Sequence, residues 1–113
     1  MLLIIRKPAT PQQIAQMAET FDGAVIKLAV DVKREILAGG GELQFDCEQA
    51  LLEDGSRQED IWGADWFPAT REVAFESLIN LRPRQQNYSL EVQDPARRDQ
   101  IEAVIRRLLE VQE

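Results

Sequence analysis

The sequence predicts an α+β fold: a mostly antiparallel sheet of four or five strands, with about three helices packed on one face. Three observations carry that expectation. Short apolar or alternating runs near the N-terminus and again after residue 72 have the two-residue period of strands. Three other stretches repeat apolar residues at helical spacing between helix-start and helix-stop residues. The order strand, helix, hairpin, helix, hairpin, helix joins the strands mainly through hairpins, which makes them antiparallel and leaves one sheet face or edge open. A chain of 113 residues fits one domain over 1–113, with enough buried surface for a core of its own.

Leu2 to Arg6 is short, apolar and partly β-branched, which reads as a buried strand ended by Pro8. Thr10, Pro11 and Gln13 then supply an N-cap, a proline at the first helical position and an amide three residues after the cap. Ile14, Met17, Ala18 and Phe21 share one face of that helix, and Asp22-Gly23 stops it. Ala24 to Val32 alternates, with Ile26, Leu28, Val30 and Val32 on one side and Lys27, Asp31 and Lys33 on the other. The chain turns near Lys33 and Arg34 and returns as a second strand over Glu35 to Ala38. Gly39-Gly40-Gly41 marks a hinge, a tight turn or a close-approach site, and is too short and irregular for a phosphate loop.

Leu43 to Asp54 fits both periods, since Leu43, Phe45 and Cys47 alternate while Leu43, Cys47, Ala50 and Leu51 form a helical stripe. Its length and the Gly55 that follows select the helix, on which Cys47 faces inward as a small buried thiol. Gly55 to Thr70 has little periodicity and reads as a long structured loop pinned to the core by Trp62 and Trp66. Val73 to Leu81 alternates again and Tyr88, Leu90 and Val92 repeat the pattern. The two are expected to form a hairpin through Arg82-Pro83-Arg84-Gln85-Gln86-Asn87. Asp94-Pro95 opens a last helix with the stripe Ile101, Val104, Ile105, Leu108 and Leu109, and Glu102, Arg106 and Glu110 are spaced for surface ion pairs.

The chain has no histidine, which removes Ser-His-Asp and Cys-His catalysis, the usual neutral-pH base and every zinc set that needs imidazole. Its single cysteine allows no intramolecular disulfide and suits a reducing compartment, so a cytoplasmic location is expected. Met1 to Ile5 is too short for a secretion-signal core or a membrane span, so no membrane partner is expected. A net charge of −7 disfavours nucleic acid, whose binding depends on neutralising phosphates. Residues 42 to 72 hold nine acids and two bases and carry that whole imbalance. Such acids are the solvated faces of a helix and a loop, or else a cation site or a docking surface for a basic partner.

Two stretches carry a resemblance. The run LAVDVKREILAGGGELQFDCEQALLEDGSRQEDIWGADW and the later FESLINLRPRQQNYSLEVQDP resemble domain of unknown function 5674, a family of short bacterial proteins frequent in cyanobacteria. The likeness spans roughly residues 28 to 109. Its most specific parts are Leu52 to Ser56 with Gln58, Asp60 and Trp62-Gly63, and the segment Asn80 to Asn87. That family often has histidine at the position of Gln44, so a function needing that imidazole is not implied for this chain. The resemblance implies a shared fold without a known activity, and its motifs fall on polar segments.

The candidate binding groups are therefore Ser56, Gln58, Asp60, Trp62, Asp65 and Trp66 from one segment and Asn80, Arg82, Arg84 and Asn87 from the other. One reading is a noncatalytic interaction or ligand-binding module, with a second copy or another protein as partner and no cofactor. The alternative is a metal-dependent, hydrolase-like enzyme in which Asp54, Glu59, Asp60 and Asp65 hold a hard cation and Arg82 or Arg84 clamps an anionic substrate. These acids match no defined ligand spacing, and small-anion binding at the two arginines lacks a glycine-rich loop. Any site is expected where the acidic tryptophan segment meets the arginine-asparagine connection.

Overall fold

Thr10 and Gln13 do what their spacing requires. In the structure, a computed structural model describing residues 1–110, the Gln13 N–H donates to Thr10 Oγ1 at 3.1 Å and the Thr10 N–H donates to Gln13 Oε1 at 3.0 Å. This reciprocal cap starts helix α1, Pro11–Ala18, and left-handed Asp22 (φ 52°) with Gly23 (φ 85°) ends the 3-10 turn that follows. Before it lies strand β1, Leu3–Ile5, and after it come β2, Ile26–Asp31, and β3, Ile36–Gly39, joined by a tight turn. Asp31 holds that turn, its Oδ1 accepting the N–H groups of Lys33 and Arg34, both at 2.9 Å.

Helix α2 runs Gln44–Glu53 and helix α3 Pro95–Leu109, with β4, Ile61–Phe67, and β5, Glu72–Ala74, between them. All strand pairs are antiparallel, in the order β1-β3-β2-β4-β5. The five-stranded antiparallel sheet and three helices make an α+β fold. No helix among the described residues is long and apolar enough to cross a membrane.

The helices do not share one face of the sheet. Helices α1 and α3 pack with Leu28, Val30, Leu37, Trp62 and Trp66 on one side, whereas α2 packs with Ala29, Ala38 and Ile61 on the other. Lys27 and Asp31 suggested a solvated face for β2, but Ala29 between them and its β3 partner Ala38 are small enough for a helix to lie against the strands. The triple glycine serves close approach. A Cβ on Gly40, at φ 97°, would fall 2.1 Å from the Met1 carbonyl oxygen.

Two further expectations are corrected. The segment expected to be a loop contains β4, an inner strand paired along its length with β2. Both its faces are covered, so alternation of apolar and polar residues is absent and the pattern hides the strand. Its tryptophans do enter the core, 1% and 2% exposed on the α1/α3 side. The expected hairpin over 73–92 is instead β5 followed by two 3-10 turns, Leu78–Asn80 and Pro83–Gln85, with isolated antiparallel bridges at Glu76–Glu91 and Arg82–Asn87. Ser77 Oγ accepts the Ile79 N–H and Pro83 opens the second turn, so both residues divert the chain from an extended course.

Candidate functional site

Gly63 on β4 positions the site. A Cβ there would lie 2.5 Å from Ser77 Cβ, so only glycine lets the 77–80 turn lie against the strand. Asn80 uses that contact: its Oδ1 accepts the Gly63 N–H at 2.7 Å, and its Nδ2 donates to Gly63 O and Phe75 O at 3.0 Å each. Strand β5 stops opposite Asp65, and the Asn80 side chain supplies at Gly63 the hydrogen bonds that a longer β5 would have made. Asn87 closes the same segment from within. Its Nδ2 faces Asn80 O, Ser89 O and Glu91 O, and its Oδ1 accepts the Gln93 N–H.

Arg82 ties this segment to α2 and to the turn before β4. Its Nη2 meets Glu48 Oε2 at 3.1 Å, Nη1 donates to Gln58 O at 2.7 Å, and Nε donates to Ile79 O at 2.9 Å. The two side chains of this ion pair are 10% and 3% exposed. Burial pushes the Glu48 carboxyl above the usual carboxylate range, against the opposing pull of Arg82 and Gln58, and burial pushes the Arg82 guanidinium down against Glu48. The Arg82 guanidinium also lies 4.6 Å from the Trp62 ring centre, on which Arg97 stacks at 4.3 Å. Gln85 adds a second tie, donating through Nε2 to Glu59 O at 2.9 Å.

The two segments singled out in the sequence therefore converge, and their polar groups largely satisfy each other. What they leave open to a ligand is an apolar groove of about 510 Å³ between α2 and the 78–85 turns. Phe45, Leu78 and Leu81 stand on it at 53%, 79% and 51% exposure, with Pro83 and Arg84 on its margin and the Glu48–Arg82 pair in its lining. Exposed large apolar side chains gathered in one depression are the usual mark of a contact surface.

Of the candidate residues, Gln58, Arg82 and Arg84 line the groove, while Asn80 and Asn87 are buried supports beneath its turn. Ser56 is buried and its Oγ accepts from Arg34 Nη1 at 2.8 Å, Trp62 and Trp66 lie in the core, and Asp60 stands in the turn leading into β4. Asp65 lies toward the other end of β4, accepting from Gln44 Nε2 at 2.8 Å, and burial pushes its carboxyl up despite Lys27 and that hydrogen bond. Cys47 is fully buried, which pushes its thiol up to about 11. Sequence reasoning passed over Phe45, Leu78 and Leu81. Phe45 falls outside the apolar stripe of α2, and that was the available signal.

The acids proposed as a cation site do not assemble. Asp54 is held by Arg6 and Arg34, whose hydrogen bonds keep its carboxyl below the usual range, Glu59 pairs with Arg57, and Asp65 is bound to α2. Among the described residues no three His, Cys, Asp or Glu side chains are grouped to hold a metal ion.

The sequence pattern of the family described as Protein of unknown function (DUF5674) matches residues 3–108. The chain belongs to this family. The DUF5674 match reaches well before residue 28 and takes in β1, α1 and the whole sheet. No curated protein and no solved structure matches the chain significantly.

Proposed function

We propose that this chain is a noncatalytic docking module that receives an apolar segment of a protein partner in the groove between α2 and the 78–85 turns. The observation that supports the reading most is the set Phe45, Leu78 and Leu81, more than half exposed around one depression whose floor is fixed by the buried Glu48–Arg82 pair. A floor fixed in this way keeps the groove open without a partner, so little ordering is needed on binding. Side chains that contribute this little to the core are free to contribute to an interface. The hydrogen bonds of Asn80, Arg82 and Asn87 are engaged within the fold, which favours a supporting role for these three residues over direct contact with a partner.

Selection of a displayed library of peptides about twelve residues long, the length of a helix or strand that fills a groove, tests this reading. The expected result is a family of apolar binders lost to the Phe45→Ala, Leu78→Ala double variant, whose unfolding midpoint stays near that of the native chain. Binders that tolerate the double variant equally well would remove the groove from the account.

A further inference from the structure

The groove also carries one charge that its own lining does not balance. Its charged lining residues are Glu48, Arg82 and Arg84, and the first two neutralise each other at 3.1 Å. Arg84 is exposed and has neither an ion pair nor a hydrogen bond among the described residues. The remaining polar side chains offer little to a ligand, since the Gln85 amide is used by Arg82 and Glu59 O, and Gln58 is turned to Glu48. A surplus cation thus stands at the margin of an apolar depression on a chain of net charge −7.

We infer that the occupant of the groove is an apolar segment that carries a carboxylate, and that Arg84 anchors this acid; the inference rests on the docking reading above. A guanidinium presents paired donors that match a carboxylate, and at an open margin it can meet one without the cost of full desolvation. A basic segment would be drawn to the acidic chain as a whole but would meet Arg84 when it entered the groove. A small free carboxylate would reach Arg84 and leave Phe45, Leu78 and Leu81 uncovered, so the apolar side chains call for a longer ligand. Leu78 and Leu81 precede Arg84 on one short stretch, so one segment can lie across all three.

The same peptide selection, run on the native chain and on Arg84→Glu, separates the two levels of the argument. Native chain should enrich sequences combining apolar residues with Asp or Glu, and replacing that acid by its amide in a synthetic binder should weaken binding by about fivefold, the upper range for one exposed ion pair. Arg84→Glu should reverse the preference toward Lys or Arg while keeping the apolar positions. Apolar binders without an acid preference, lost to Phe45→Ala, Leu78→Ala, would overturn the carboxylate inference and leave the docking reading standing. No enrichment from either chain would overturn both. Mass measurement across concentrations covers the remaining occupant: a dimer abolished by Phe45→Ala would show the groove filled by a second copy and would overturn the inference.

Discussion

The two faces of the sheet are closed by different means. Under α1 and α3 the core is built of large apolar side chains, Met17, Leu28, Trp62, Trp66, Ile101, Ile105 and Leu108 among them, each 2% exposed or less. Under α2 the apolar cluster is smaller, centred on Ala29, Ala38, Cys47, Leu51 and Ile61. That face is completed by buried polar groups: Glu48 with Arg82, Asn80 on Gly63, and Gln44 on Asp65. Apolar packing is non-directional and gains by covering everything within reach. Hydrogen-bonded closure fixes a shape and can hold a turn in place while Leu78 and Leu81 remain outside the core. The groove lies on the polar-closed face for that reason.

The largest effect is expected from Glu48→Leu. It leaves Arg82 buried without its counter-charge, at a cost of about 3–5 kcal/mol in urea unfolding. That loss would equal that of Leu28→Ala on the other face, about 2–5 kcal/mol. Adding Arg82→Met to Glu48→Leu should return at least half of it. If Glu48→Leu alone cost under about 1 kcal/mol, polar pairing would not be what closes this face, and the contrast would fail.

Gly63→Ala comes next. The added methyl meets Ser77 and Ile79, and overpacking of this kind costs about 1–3 kcal/mol. The damage should be local, with amide exchange quickening at 75–82 more than in α3, and uniform quickening would contradict the assigned contact. The smallest effect concerns Asp54. Its carboxyl is lowered by Arg6 and Arg34, so its contribution to stability is present above the ordinary carboxylate range and is lost as pH falls through the lowered value. Asp54→Asn should therefore be slightly less stable than the native chain near neutrality and equal to it in acid.

Much of the fold is legible in the sequence where local signals agree with the final packing. Thr10, Pro11 and Gln13 start α1, Asp94 and Pro95 start α3, and the stripe Ile101 to Leu109 gives its buried side. β4 is hidden because a strand covered on both faces needs no polar side, and because Gly63 and Ala64 lower its apparent strand character. The second strand of the expected hairpin is mistaken because the alternation of Tyr88, Leu90 and Val92 is real while only Val92 is buried. At the site, the sequence indicates which segments meet, since Gln58 and Glu59 do lie against Arg82 and Gln85. It does not indicate that Asn80, Arg82 and Asn87 spend their hydrogen bonds inward, because partners such as Glu48 and Gly63 are distant in the chain.

The central claim, that docking belongs to the polar-closed face, is tested most directly by amide chemical-shift mapping of the isotope-labelled chain with a selected acid-bearing apolar peptide. The expected perturbations gather at residues 43–48 and 78–85, with α1 and α3 unchanged. Perturbations centred on α1, α3 or the β1 edge would contradict the account and move the interface elsewhere.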